Sequence, residues 1–348
     1  MSDLAPGTSL TPDRTAAAAL IAAFVGDRAP TLLETLDLDT ALAAASDERN
    51  VPRIGFAAAL NAVLFDRLIE RVPTGASFVA DQCARGHRIA FDHGALRTVR
   101  FETGPTGELP AGQEALTRIL EPLGYRLAGV YPLPLLKMTG RAWVHEELPE
   151  HLPQFFISEL HVEQFDAPFA AVAQRVFGAS KDPLDRFARS ILDRYSRGEA
   201  VPLDDAVAAM EMIVSAFGRQ HPIPDEADYA FLLGRSAEAA WISTEGNAFN
   251  HATSRVDDID AEAGRQRSRG LPVKDHIEIS RTGRVRQTAF RADPVTRRFK
   301  DGGDVVERQV PGSFYEIISR DVDPSTGRLD LSFDSGNATG IFQMTKAA

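Results

Sequence analysis

The sequence predicts an α+β fold. Two β-α-β-β-β modules pair into one curved mixed sheet around a metal cleft, with N-terminal helices and a helical insertion between the modules. Three observations point there. Strand-like stretches and one helix follow each other in the order β-α-β-β-β at 88–162, and again from 248 onward. Helical spacing fills the interval 168–243. A histidine stands in a similar frame in the first strand of each module: Phe91-Asp92-His93-Gly94-Ala95 and Phe249-Asn250-His251-Ala252-Thr253. The chain therefore divides into an N-terminal helical segment at 1–80, a first module at 81–166, the insertion at 167–243, and a second module with C-terminal strands at 244–348.

The elements follow from periodicity. Ala16 to Val25 reads as an amphipathic helix packed on the domain. Thr31 to Ala45 carries Leu32, Leu33, Leu36 and Leu42 at helical spacing. Gly55 to Val72 follows with Phe56, Leu60, Val63, Leu64, Leu68 and Ile69 on one side, and Pro73 and Gly75 end it. Arg88 to Phe101 is strand-like and Pro110 to Leu123 is helical. Tyr125 to Leu133, Leu136 to Glu146 and Gln154 to Val162 then read as strands. In the insertion, Ala170 to Phe177, Pro183 to Tyr195, Leu203 to Phe217 and Tyr229 to Arg235 are helical, with Pro183 at a first helical position. Ala248 to Val256 opens the second module. Asp257 to Gly270 is acidic first and basic last, which suits a helix dipole. His276 to Ser280, Val285 to Arg291, Ser313 to Asp321, Leu329 to Phe333 and Gly340 to Thr345 are the remaining strands, and Asp301-Gly302-Gly303-Asp304 is a turn.

Composition narrows the function. A hydrophobic fraction of 44% and a charged fraction of 25% support a core of normal size. Lys and Arg total 38 against 49 Asp and Glu, a net charge of -11. That argues against nucleic acid as a partner, because phosphate binding needs a concentrated basic surface. It leaves room for a small anionic substrate. The single Cys83 allows no intramolecular disulfide, which suits a reducing cytoplasm. The apolar run Ala16 to Val25 is about half the roughly 20 residues needed to span a bilayer. Asp3, Asp13 and Arg14 before it do not make the basic start of a signal peptide, so no membrane association is expected.

The chemistry is argued from position. Small residues follow both His93 and His251 and leave space for a ligand. Glu316 lies between Tyr315 and Ile317 on a strand, so it faces away from them, and into the cleft if that strand lines one. An unpaired carboxylate there is unfavourable, which favours a bound cation. Two imidazoles and a carboxylate leave about three coordination positions open, the facial triad of non-haem iron(II) oxygenases. The plain alternative makes both histidines satisfied core residues and Glu316 a surface group; the repeated frame favours the metal. Arg97, four residues after His93, shares its face and can hold a carboxylate, or can form a surface ion pair. Arg255 and Arg320 are weaker candidates for the same role. Glu159 holds roughly the place in the first module that Glu316 holds in the second. It is either a supporting or acid-base group, or a buried glutamate paired with an arginine. His145 and His151 are six apart where a zinc-protease helix needs four, and Pro149 and Pro153 break any helix there, so 145–151 reads as a solvated acidic turn. The chain has no GxxxxGK[ST] phosphate loop, and Cys83 lacks an activating pattern.

The stretches FDHGALRT, FFISEL, FNHATSRV and GSFYEIISR resemble the 2-oxoadipate dioxygenase/decarboxylase family of the vicinal oxygen chelate superfamily, from about Asn61 to the C-terminus. The resemblance implies that His93, His251 and Glu316 hold iron(II) and that Arg97 anchors the substrate carboxylate. It implies a 2-oxo acid and dioxygen as substrates, with 2-oxoadipate converted to 2-hydroxyglutarate and carbon dioxide in lysine breakdown, by a scheme like that of 4-hydroxyphenylpyruvate dioxygenase. Some members are longer and add C-terminal residues to the pocket, whereas this chain ends 32 residues after Glu316 (348 minus 316), which leaves open the groups meeting the far end of the substrate and a different 2-oxo acid as substrate. The rival readings are another metal-dependent enzyme of the superfamily, a non-catalytic small-molecule binding protein, and a structural or partner-binding protein whose helical insertion at 168–243 is either a dimerisation element or a surface helix pack. The first would be an extradiol dioxygenase, an isomerase on zinc or nickel, or an enzyme of a different 2-oxo acid. Intact His93, His251 and Glu316 argue against the second.

Overall fold

The computed structural model describes residues 15–334. The chain opens with α1 (Ala16–Val25), α2 (Ala29–Thr35), α3 (Asp39–Ala44), the short strand β1 (Asn50–Val51), α4 (Arg53–Ile69) and α5 (Pro73–Ala84). Then comes the first module: β2 (Ala90–Arg100), α6 (Glu114–Leu120), β3 (Tyr125–Leu133), β4 (Met138–His145) and β5 (Gln154–His161). The insertion holds α7 (Ala167–Phe177), α8 (Arg186–Ser196), β6 (Val201–Pro202), α9 (Leu203–Ser215), α10 (Glu226–Leu233) and α11 (Ala237–Glu245). The second module is β7 (His251–Arg255), α12 (Ile259–Ser268), β8 (Glu278–Ile279), β9 (Val285–Ala289), β10 (Pro294–Asp301), β11 (Asp304–Pro311) and β12 (Phe314–Arg320), followed by β13 (Val322–Asp323) and β14 (Arg328–Leu329).

The α+β architecture expected from the sequence is present. Eight strands form one curled sheet in the order β3-β4-β5-β2-β7-β12-β9-β8. The modules meet where β2 pairs antiparallel with β7. On either side of that seam the pattern repeats: β2 runs parallel to β5, and β7 runs parallel to β12. One face of the sheet is covered by helices. Leu20, Phe56, Leu64, Met210 and Ile213 share a core with Ile157, Tyr315 and Ile317 of the strands. The N-terminal helices and α8–α9 are thus one layer, stitched further by the β1–β6 pairing. A second core joins α7 and α11 to Val99, Leu133, Met138 and Leu160, and covers one end of the opposite, cleft-lining face.

Several elements differ from expectation. The helix read over Thr31 to Ala45 is broken at Leu36, which is extended, fully buried, and bridges Ile89 at the edge of the first module. Pro73 does not merely end α4; it occupies the start of α5, where its missing N–H and fixed φ fit. Pro183 lies outside α8, because the Asp185 side chain caps that helix by accepting from Ala188 N at 2.7 Å. The Gly302-Gly303 turn is real, with φ of 55° and 103°, and it closes a hairpin of two eight-residue strands, β10 and β11. Those strands are mostly exposed, so they carry little apolar alternation to read. They anchor on α10 through Phe299 and Tyr229, whose rings are 4.8 Å apart. Of the strand expected at Leu329 to Phe333, only Leu329 is paired; 330–333 run without a ladder partner among the described residues. The strand expected at Gly340 to Thr345 lies outside the described residues. The run Ala16–Thr35 is apolar and long enough to cross a membrane by length and composition, with mean hydropathy 1.4. It is interrupted at Gly26, and Leu20 and Ile21 are fully buried in the core.

Candidate metal centre

Register places the three expected ligands together. His93 on β2 is level with Thr253 on β7, and Thr253 is level with Glu316 on β12. His251 lies two residues before Thr253 on the same strand, hence on the same face. The ligand atoms of His93, His251 and Glu316 all fall within 4.8 Å of one another, and all three residues are buried. His251 Nε2 is 3.3 Å from Glu316 Oε2, and His93 Nε2 is 3.8 Å from it.

A β-bulge shapes the first ligand. The ladder between β2 and β7 shifts between Phe91 and His93, which leaves Asp92 as the extra residue. Phe91 therefore packs into the helix-side core while Asp92 and His93 both serve the cleft side. Asp92 Oδ1 lies 2.8 Å from His93 Nδ1, and Asn250 Oδ1 lies 3.2 Å from His251 Nδ1. Each oxygen accepts from an Nδ1–H, so each imidazole turns Nε2 toward Glu316, as metal-ligating histidines do. Gly94 is required next in the strand: a Cβ there would lie 2.2 Å from the Phe249 ring.

The electrostatics favour a cation. Burial pushes the Glu316 carboxyl up to about 8, although Thr253 Oγ1 donates to its Oε2 at 2.9 Å. Glu316 Oε1 is buried with no hydrogen-bond partner among the described residues. Burial also lowers His93, against the pull of Asp92, and lowers His251 well below the ordinary range, helped by the Arg97 charge. Burial acts to raise Asp92, but the Arg320 guanidinium and the His93 hydrogen bond outweigh it and hold the carboxyl far below the usual range. Two neutral imidazoles and a carboxylate with an unsatisfied oxygen make a donor set that a divalent ion fits.

A narrow cleft beside these residues is walled by Ala95, Tyr131, Phe156, Ser158, Gln287 and Phe333. Arg97 lines it, as its i+4 relation to His93 predicts, but it is no surface residue. Its Nη2 is 2.6 Å from Glu238 Oε2 on α11, both side chains are buried, and its guanidinium sits 4.9 Å from the Trp241 ring centre. Arg255 instead donates to the Glu150 carbonyl at 3.0 Å, and Arg320 is engaged with Asp92.

Glu159 is not brought to the centre. His93 is level with Gln154, and His251 is level with Phe314, so the counterpart of Glu316 in the first module is Phe156. Glu159 is three residues further on, an odd step that turns it to the other face. There it accepts from Gln113 N at 2.8 Å ahead of α6 and pairs with Arg141 at 3.2 Å. The buried, arginine-paired alternative is the one observed. The turn spans 146–151; His145 is instead the last residue of β4 and is fully buried, its Nδ1 accepting from Glu147 N and Leu148 N. Sequence reading missed Asp92, Asn250 and Thr253 as parts of the centre. Their adjacency to the histidines, and the i+2 spacing of Thr253, were the available signals. Glu238 carried none, because a different element delivers it.

The paired modules and the two-histidine, one-carboxylate face define a class of candidate metal enzymes built on a curled sheet. Comparison with known sequences makes this specific: the profile described as 2-oxoadipate dioxygenase/decarboxylase matches residues 56–329, and the chain belongs to that family. A crystal structure named as a glyoxalase superfamily protein of Ralstonia eutropha JMP134 is 46% identical, over 92% of this chain and 98% of its own, with TM-score 0.86. Hydroxyglutarate synthase of Oryza sativa is 21% identical over 84% of this chain and 93% of its own, with TM-score 0.65. The Pseudomonas putida enzyme is 18% identical over 98% and 74%, with TM-score 0.54. The last two show a shared fold. No curated protein matches the chain.

Proposed function

We propose that this chain is an iron(II)-dependent dioxygenase/decarboxylase that converts 2-oxoadipate and dioxygen to 2-hydroxyglutarate and carbon dioxide, acting in the cytoplasm in lysine breakdown. One observation carries the metal assignment: a buried Glu316 with an unsatisfied oxygen, facing two buried imidazoles. Family membership supports the reaction. The synthases of Oryza sativa and Pseudomonas putida were crystallised with 2-oxoadipate, which supports a 2-oxo acid as substrate.

When bound by His93, His251 and Glu316, iron(II) supplies open coordination positions at which a 2-oxo acid chelates and dioxygen is activated. Asp92 and Asn250 hold the imidazoles by Nδ1 and turn Nε2 toward Glu316, where His93 Nε2 also lies 3.1 Å from the Thr253 hydroxyl. Arg97 orients a substrate carboxylate, sharing its charge with Glu238. Tyr131, Phe156 and Phe333 form an apolar wall that limits water at the reacting carbons. Both atoms of dioxygen end in the products. The exposed Cys83 thiol accords with a reducing compartment.

The test is anaerobic loading with iron(II), followed by oxygen uptake with 2-oxoadipate and with other 2-oxo acids, alongside His93→Ala. Stoichiometric carbon dioxide and 2-hydroxyglutarate, lost in the variant, is the expected result. Uptake with another 2-oxo acid alone would keep the chemistry and change the substrate. No uptake with any 2-oxo acid despite bound iron would overturn the oxygenase reading in favour of a redox-silent enzyme on the same ligands.

A further inference from the structure

The least expected feature of the centre is where Arg320 spends its hydrogen bonds. It ends β12, four residues after Glu316 and on the same face, and its side chain is fully buried. Nε and Nη2 donate to the two oxygens of Asp92 at 2.8 and 2.9 Å. Nη1 donates to the carbonyls of Asp330 and Ser332 at 2.8 and 2.9 Å. One planar guanidinium thus joins the carboxylate that orients His93 to the backbone of a segment that, among the described residues, has no strand partner of its own.

That segment, 330–334, runs over the cleft. Gln154 Nε2 donates to the Leu331 carbonyl at 3.3 Å, and Phe333 N donates to the Tyr131 hydroxyl at 3.1 Å. The Phe333 ring stands edge-on to His93 with centres 4.9 Å apart, and lies 4.7 Å from Phe156. Its centre is 5.1 Å from the Arg320 guanidinium carbon. Asp334 Oδ2 accepts from Arg281 N at 2.9 Å. The strap is therefore seated by side chains of the sheet and by the Arg281 amide of the β8–β9 loop, and Arg320 is the side chain that also reaches the His93 support.

We propose that Arg320 is a positioning residue that couples the orientation of His93 to the seating of the 330–334 strap. Lifting the strap strips two acceptors from a buried guanidinium and removes the ring that packs on His93. Whatever fixes His93 then favours the seated strap, and a seated strap favours metal binding; linkage makes the two effects equal. Lysine cannot replace this arrangement, because a single ammonium lacks the planar fork that meets a carboxylate and two carbonyls at once.

The inference rests on the metal assignment above, and its test needs neither oxygen nor substrate. Cobalt(II) is titrated into the chelator-treated protein, its visible absorption and competition affinity are read, and amide exchange at Ser332 and Phe333 is followed. In the parent protein, cobalt(II) is expected to slow that exchange about tenfold or more. In Arg320→Lys the protection is expected to vanish and affinity to fall about 10- to 100-fold with an altered spectrum, the scale seen for outer partners of ligands. If Arg320→Lys does not fold, Asp92→Asn cuts the same link and is read the same way. Parent-like affinity, spectrum and strap protection in a folded variant would overturn the coupling, as would parent exchange indifferent to cobalt(II). Failure of cobalt(II) to bind the parent protein at all would instead overturn the metal centre itself.

Discussion

Replacing Glu316 with glutamine separates the stability of the centre from its chemistry. In the metal-free protein the Glu316 carboxyl is raised from 4.5 to about 8, chiefly by burial. Between those values the folded state keeps a proton that the unfolded chain has released. Stability therefore falls as pH rises through this window, by about 1.4 kcal/mol per pH unit, and levels off above the folded value. The amide introduced by Glu316→Gln does not titrate, so the advantage of this variant over the parent should grow by about 3 kcal/mol between pH values of roughly 5.5 and 7.5. His93 and His251 act in the opposite sense: both are lowered by burial, so the stability they contribute is lost as pH falls through their ordinary range. They are common to both proteins, and the subtraction largely removes them. The assay is urea unfolding in the presence of chelator at several pH values. A difference that stays flat across the window would show that Glu316 ionises without penalty, and the case for a cation at its unsatisfied oxygen would fail with it.

The same shift fixes the proton count of metal binding. A carboxyl at about 8 is about 0.9 protonated at pH 7, so loading should release close to one proton there and about 0.1 at pH 9, beyond what the metal's own water releases. Calorimetry in buffers of different ionisation enthalpy measures this, and pH-independent release would contradict it. Gly94→Ala puts a Cβ 2.2 Å from a Phe249 ring that is itself packed against Phe91 and Phe155. Overpacking of this kind should destabilise by about 3 kcal/mol, and a thermal melt within about 0.5 kcal/mol of the parent would refute the packing argument. Glu238→Gln removes the carboxylate charge that lies 2.6 Å from the buried Arg97 and should lower stability by about 3–5 kcal/mol. If Arg97 receives a substrate carboxylate, 2-oxoadipate should raise the melting temperature of that variant more than that of the parent. Equal shifts would remove Arg97 from the substrate site.

The legible part of this protein is what period and position encode. His93 and His251 could be found because one frame recurs at the head of each module, and Glu316 because a carboxylate flanked by Tyr315 and Ile317 must turn away from their core. Register between strands is not written in the same way. Glu159 looked equivalent to Glu316 by rank in its strand, yet the ladder makes Phe156 the counterpart, and an odd offset reverses a side chain. The bulge at Asp92 was equally hidden, since only the partner strand reveals an extra residue. Helix breaks went unread for a related reason: Leu36 fits a helical stripe, and only its bridge to Ile89 pulls it into extended conformation. That Arg97 faces the cleft was legible and that Glu238 pairs with it was not, because the first belongs to the strand of His93 and the second arrives from α11.

Why the centre sits at this seam follows from the pairing. β2 brings one ligand from the first module, while β7 and β12 bring two from the second, and among the described residues the only main-sheet ladder joining the modules is β2–β7. A site there is assembled only when both modules are folded and in register. A slip of one residue between β2 and β7 would turn His93 to the helix-covered face and leave Glu316 and His251 facing an incomplete cavity. The bulge, the Gly94–Phe249 contact and the Asp92–Arg320 pair all lie within this seam and oppose such a slip. A bound ion would add a further tie across the same joint. The ligand geometry and the pairing of the two modules are, on this account, one structural problem solved by the same residues.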